Sequence, residues 1–218
     1  MGKGAMEFAE KMEAGKTAVV VIDMQRDYFC RGGIVDRMGD DCEALQSIVQ
    51  PLADFLEHVR PIVRMVIFTR QTANPVLRSA VAIEHYTRAG MARPFDPAME
   101  DFFGVAPCDT DVVLPKSKYS AFVGTPLDLM LRANGVRTLV LTGVATNVCV
   151  ESTARDGFMR DYHIVVASDL TAGASDAAKQ ASLRNLGTYF GEVIDSTLIR
   201  SVWDDRMPRS DVPGESCA

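Results

Sequence analysis

Thr138-Leu-Val-Leu-Thr-Gly-Val-Ala-Thr-Asn-Val-Cys149 decides the fold of this 218-residue chain. The run Thr138–Gly143 is short and apolar on both faces, as a strand buried inside a parallel sheet must be. The glycine closes it, and the spacing predicts a helix from Asn147 to Met159. A strand that passes directly into a helix is half of a βαβ unit.

The same alternation extends in both directions. Thr17-Ala-Val-Val-Val-Ile-Asp23 reads as an equally buried strand. Leu45, Ile48, Val49, Leu52, Phe55, Leu56 and Val59 fall at helical spacing within Asp40 to Arg60. Asp40 or Asp41 is placed to cap that helix, and Pro51 to kink or divide it. Strands are expected at 62–69, 111–114, 163–167 and 192–194. Helices are expected at 75–90, 127–133 ending on Asn134-Gly135, 175–186 and 196–202. Residues 91–110 read as loop. Repeated βαβ units imply a doubly wound, three-layer α/β/α architecture around a mostly parallel sheet. The whole of 1–218 reads as a single domain, with residues 1–16 an N-terminal extension and 207–218 a loose tail.

Composition narrows the function. The chain is 47% hydrophobic and 24% charged, with a formal net charge of −6. An acidic chain lacks the basic face that nucleic acid requires. No apolar run reaches the roughly 20 residues of a membrane span, and the first residues lack the apolar core of a secretory signal. The five cysteines (Cys30, Cys42, Cys108, Cys149 and Cys217) are odd in number and widely spaced. That argues against a disulfide framework and for a reduced, cytoplasmic setting.

In an open parallel sheet, ligands bind beyond the carboxyl ends of the strands. Three reactive groups are expected at that edge: Asp23 ending the first strand, Lys116 following the short strand at 111–114, and Cys149 in the first turn of the helix after Gly143. A helix start favours an anion, so it suits a thiolate and the oxyanion that thiolate attack generates. Asp23 is positioned to take the thiol proton and Lys116 to hold the pair in register. His58, His85 and His163 do not end strands at this edge. Each residue taken alone has a plainer reading: a small buried hydrophobe, a turn cap and a surface charge. The convergence of all three carries the functional one.

Three segments match a known family. Val-Ile-Asp-Met-Gln-Arg-Asp-Tyr-Phe at 21–29, Lys-Ser-Lys-Tyr-Ser-Ala-Phe at 116–122 and Gly-Val-Ala-Thr-Asn-Val-Cys-Val at 143–150 resemble the isochorismatase-like cysteine hydrolases, in the family's order and spacing. The resemblance runs from about Thr17 to Val202. It implies a six-stranded sheet, an Asp23–Lys116–Cys149 catalytic triad, and a non-proline cis peptide joining Val144 to Ala145. It further implies an oxyanion hole from the Ala145 and Cys149 amides and assembly into homodimers or homotetramers. Within the family the likeness is to the ureidoacrylate, biuret and N-carbamoyl amidohydrolases. That implies cleavage of a ureido, carbamoyl or amide C–N bond in a small molecule through an acyl-thioester.

Nicotinamidases of the family bind metal through an Asp-x-His motif after the second strand. Here that stretch is Thr69-Arg-Gln-Thr-Ala-Asn-Pro75, so neither metal nor cofactor is expected. Residues 71–108 depart from the subgroup's pattern and are expected to form one wall of the substrate pocket. Gln71 is a candidate for binding a ureido carbonyl or is a solvated amide. Tyr28, Phe29, Tyr119 and Phe122 are candidates for packing over a planar substrate or belong to the core. Cys30 is given no role. Two other functions stand as alternatives: an isochorismatase-type vinyl ether hydrolase in which Asp23 acts without Cys149, and a non-catalytic binding protein on the same fold.

Overall fold

The computed structural model describes residues 7–72, 74–92 and 96–204. Six strands form one sheet: β1 (Thr17–Ile22), β2 (Met65–Gln71), β3 (Val112–Lys116), β4 (Thr138–Val144), β5 (His163–Ala172) and β6 (Glu192–Ile194). Their order is β3-β2-β1-β4-β5-β6, and every pairing is parallel. The chain therefore builds outward from β1 to one edge, returns to β4 at the centre, and builds outward to the other edge. The reversal lies between β1 and β4, the point where a doubly wound sheet opens a crevice.

β1 shows why both faces of the sheet are covered. Val19 and Val21 join a core with Phe55, Leu56, Ile199 and Trp203, from the helices Val49–Val59 and Ser196–Asp204. Ala18, Val20 and Ile22 point the other way, into a core with Leu131, Val150, Ala154 and Leu186. That second core is supplied by the helices Leu127–Ala133, Glu151–Phe158 and Asp176–Tyr189. All six β1 residues are buried, so no alternation of polar and apolar residues is visible in its sequence.

Several boundaries differ from the sequence-based expectation. The segment 40–60 is a 3₁₀ turn, Ala44–Ile48, followed by the helix Val49–Val59. Asp41 caps the turn by accepting the N–H groups of Glu43 and Ala44. Pro51 sits in the first turn of the helix, where a missing N–H removes no helical bond, so it divides the segment without kinking a continuous helix. β2 begins at Met65 rather than Ile62, because the N–H groups of Ile62 and Val63 bond back to the Val59 carbonyl. β5 runs to Ala172, five residues past its expected end, with a register shift against β4 between Leu141 and Gly143.

The N-terminal extension is packed against the sheet from residue 7 onward. Met12 is fully buried, its carbonyl accepts the Trp203 indole N–H, and the Lys11 carbonyl accepts the Thr138 hydroxyl. The expected tail at 207–218 lies outside the described residues. Among the described residues of the segment expected as loop, Pro97–Glu100 is a 3₁₀ turn, Phe102 bridges Gln25, and Phe103 stacks on Phe29 at 5.2 Å. The helix Ala80–Arg88 is the exception among the longer helices, since none of its residues is buried. Among the described residues, no helix is long and apolar enough to cross a membrane.

Candidate active site

The crevice between β1 and β4 gathers the reactive groups. Asp23 follows β1 directly and adopts a positive φ of 51°, which aspartate tolerates better than most residues. Beside it, Gly143 has φ 94°, and a Cβ there would lie 2.1 Å from the Ile22 carbonyl oxygen. Only glycine lets β4 pass that close to the end of β1. Beyond it the Val144–Ala145 peptide is cis. Cys149 follows in a π-helical turn, Thr146–Val150, whose Ala145 carbonyl accepts the N–H groups of Val148 and Val150. The thiol thus precedes the helix Glu151–Phe158 rather than lying in its first turn, as the sequence suggested.

Lys116 ends β3 and reaches across to the crevice. Its Nζ lies 2.7 Å from Asp23 Oδ2, and both side chains are completely buried. It also donates to Gln71 Oε1 at 2.7 Å and to the Lys118 carbonyl at 3.0 Å. Two ammonium hydrogens are thereby directed at carbonyl oxygens and the charge is paired with Asp23, which is how a buried ammonium is made tolerable. Burial works against the Lys116 charge, but the facing Asp23 and Cys149 raise its pKa overall, so it stays protonated. Cys149 is 2% exposed, and its thiol lies close enough to Asp23 and Lys116 for both charges to act on its ionisation. Burial and the Asp23 charge push the thiol well above the ordinary cysteine range, and the Lys116 charge offsets only part of this. The resting site therefore holds a carboxylate, an ammonium and a neutral thiol.

Two residues that the sequence did not single out complete the arrangement. The Thr69 hydroxyl donates to Asp23 Oδ1 at 2.6 Å and accepts the Asp23 N–H at 3.1 Å. Gln25, 1% exposed, accepts the Gln71 N–H and donates to the carbonyls of Gln71 and Glu100. Thr69 aims the carboxylate, and Gln25 ties the end of β2 to the segment at 100–103. Nothing local marks either one, because each acts only through strands that are distant in sequence. Replacing Thr69 by valine will leave a buried carboxylate oxygen and an amide without partners. The expected loss is about 1–3 kcal/mol of stability and roughly tenfold in turnover. Denaturant melts and steady-state kinetics check this.

A cavity of about 330 Å³ is lined in part by Tyr28, Gln71, Thr72, Tyr86 and Tyr119, and Gln71 links its wall to Lys116. Tyr28 and Tyr119 lie close enough for the Cys149 charge to bear on their ionisation, behind burial as the main cause. Both phenols are held far above their usual pKa and remain protonated donors. Gln71 lines the cavity while its side-chain carbonyl accepts from Lys116. The segment after β2 does form a cavity wall, through Leu77, Arg78, Ala82 and Tyr86.

Two aromatic candidates are elsewhere. Phe29 is fully buried against Phe103, in the core beneath the helix Val49–Val59. Phe122 packs into the opposite core against Tyr162, with Arg160 over its ring. Phe29 stands one residue from Tyr28 and Phe122 three from Tyr119, and over either interval a turning chain sends side chains in different directions. Cys30 is free and half-buried. Among the described residues, no group of three or more His, Cys, Asp or Glu is placed to hold a metal ion.

This geometry has known counterparts. The Isochorismatase domain profile matches residues 17–197. Ureidoacrylate amidohydrolase RutB of Methylorubrum extorquens is 38% identical over 202 residues, covering 84% of this chain and 81% of its own. A cysteine hydrolase from Pseudomonas syringae pv. phaseolicola 1448A superposes with a TM-score of 0.75 at 28% identity, over 94% of this chain and 99% of that one. N-carbamoylsarcosine amidase from Thermoplasma acidophilum gives 0.65 at 27% identity, over 83% and 96% of the two chains. By the extent of the matched domain and the identity to its relatives, this hydrolase belongs to the isochorismatase family.

Proposed function

We propose that the chain is a cysteine amidohydrolase that cleaves a ureido or carbamoyl C–N bond of a small molecule, with Asp23, Lys116 and Cys149 as its catalytic residues. The observation that carries this reading is a fully buried Asp23–Lys116 ion pair at 2.7 Å, with the buried Cys149 thiol near enough for both charges to act on it. The names of the relatives, a ureidoacrylate amidohydrolase and an N-carbamoylsarcosine amidase, support the bond type.

Because the resting thiol is neutral, proton transfer to Asp23 accompanies attack rather than preceding it. Sulfur bonds to the substrate carbonyl as its proton passes to the carboxylate, and the carbonyl π electrons move onto oxygen. The backbone N–H groups of Ala145 and Cys149 receive that oxyanion in this reading. When the tetrahedral species collapses, the C–N bond breaks and Asp23 returns the proton to the departing nitrogen. Water then attacks the thioester, giving its proton to Asp23, and expulsion of sulfur restores the thiol. Lys116 neither gains nor loses a proton. Its fixed charge keeps Asp23 aligned and stabilises negative charge as that charge moves between carboxylate and sulfur.

The test is ammonia release from ureidoacrylate, biuret, N-carbamoylsarcosine and simple amides. The expected result is turnover of at least one ureido or carbamoyl compound with accumulation of a covalent adduct on Cys149, detected by mass spectrometry of the quenched enzyme. Turnover of isochorismate alone, insensitive to loss of Cys149, would overturn it.

A further inference from the structure

The end of β2 is held by a side chain at the place where its neighbouring strand stops. β1 pairs with β2 only from Ala18 to Val21, opposite Met65 to Phe68. Asp23 then turns with its φ of 51°, while β2 runs on to Gln71. Gln25 supplies the missing ladder bonds with its amide. Its Oε1 accepts the Gln71 N–H at 2.7 Å, and its Nε2 donates to the carbonyls of Gln71 and Glu100, each at 3.0 Å. These partners fix which way the amide lies, because a backbone N–H only donates and a carbonyl only accepts. The acceptor and both donors of Gln25 are thus engaged, and the residue is 1% exposed.

Gln71 passes this fixation on. Its backbone stands opposite Lys116 in the register of β2 with β3. Its side-chain Oε1 accepts from Lys116 Nζ at 2.7 Å. An ammonium only donates, so the oxygen of this amide, not its nitrogen, faces Lys116. The same ammonium donates to the Lys118 carbonyl and lies 2.7 Å from Asp23 Oδ2. A lysine stem is flexible, so its head keeps one position only where its partners are fixed. Lys118 is two residues along the same chain. Gln71 is the neutral acceptor that ties the ammonium to a neighbouring strand, and the backbone of Gln71 is itself clamped by Gln25.

We propose that Gln25 is a positioning residue for Lys116, acting through the side chain of Gln71. It holds the end of β2 so that the Gln71 carbonyl aims the ammonium at Asp23. This rests on the amidohydrolase reading above and adds two members to the machinery that aligns its ion pair.

The test is a double-mutant cycle in steady-state kinetics. The substrate is whichever of ureidoacrylate, biuret, N-carbamoylsarcosine and a simple amide the wild-type enzyme turns over fastest. Gln25→Met is close in length and volume and lacks the acceptor and the donors. It is expected to lower kcat about 10- to 100-fold, the range of a hydrogen bond to a charged group, with KM held within about threefold. Gln71→Met leaves the backbone clamp and removes the last link, so its kcat falls by a similar factor. Its KM changes as well, because Gln71 lines the cavity. In the Gln71→Met background, adding Gln25→Met costs less than about threefold more in kcat, because the two residues act in series. A merely structural Gln25 lowers Tm and costs the same factor in both backgrounds. Equal factors in both, or a folded Gln25→Met with kcat within about threefold of wild type, overturns the proposal and leaves the amidohydrolase reading standing. If thermal melts show Gln25→Met unfolded, Gln71→Met decides alone: the 10- to 100-fold loss of kcat supports the proposal, and a smaller one overturns it. No turnover of any of these compounds by the wild type, or turnover that persists in Cys149→Ser, overturns both readings.

Discussion

Cys149→Ser will lose at least about 10³-fold in kcat on the preferred ureide while remaining folded. Serine nearly keeps the volume of the buried thiol, so the packing beside Asp23 and Lys116 persists. It loses the nucleophile, because an alcohol is far harder to ionise than a thiol and sulfur is the better attacking atom. The neutral resting thiol adds a second expectation. Between pH 6 and 9 the free enzyme will react slowly with iodoacetamide at Cys149, since ionisation there needs a bound carbonyl to accept the sulfur. Exposed Cys108 will be labelled first. Peptide mapping of the labelled protein reads both rates. Rapid alkylation of Cys149 near neutral pH would show that a thiolate preexists and that Asp23 is not the base that forms it.

The second large effect lies in the ion pair. Lys116→Met removes one charge from a pair with no exposure to solvent and strands the Asp23 carboxylate in a crevice built for its partner. Breaking a buried pair from one side costs about 3–5 kcal/mol. For a protein of this size that corresponds to roughly 6–20 °C in Tm. Activity will fall with it, because the lost charge also holds Asp23 in line with the thiol. The double variant Asp23→Leu/Lys116→Met separates the two roles. It removes both charges, so much of the stability returns, while turnover stays absent. Differential scanning calorimetry of the three proteins tests this. A single variant melting within about 2 °C of the parent would mean that water or another group compensates the carboxylate.

The parallel sheet was legible because its strands are continuous β-branched runs, and burial on both faces leaves no other reading for Thr17–Ile22 or Thr138–Val144. Asp23, Lys116 and Cys149 were visible for a related reason. Asp23 and Lys116 stand where a strand ends and Cys149 in the turn that follows one, and strand ends in such a sheet share one edge. What remained hidden required knowing which way side chains point across that edge. Thr69 ends the strand expected at 62–69 without any mark of a role, and only the pairing of β1 with β2 brings it to Asp23. Tyr28 and Phe29 are indistinguishable as a dipeptide, yet one lines the cavity and the other fills the core.

The helix Ala80–Arg88 has no buried residue, although it carries Ala82, His85 and Tyr86 to the cavity wall. Its stability is therefore decoupled from the packing that secures Asp23, Lys116 and Cys149 at the β1/β4 reversal. Substitutions along it change which molecule is accepted without disturbing how the bond is broken. That separation makes this wall the first place to build a library when redirecting the enzyme to another substrate. Positions such as Val81 and Ile83, exposed on the same helix, tolerate replacement at small cost to the fold, whereas the glycine at 143 tolerates none.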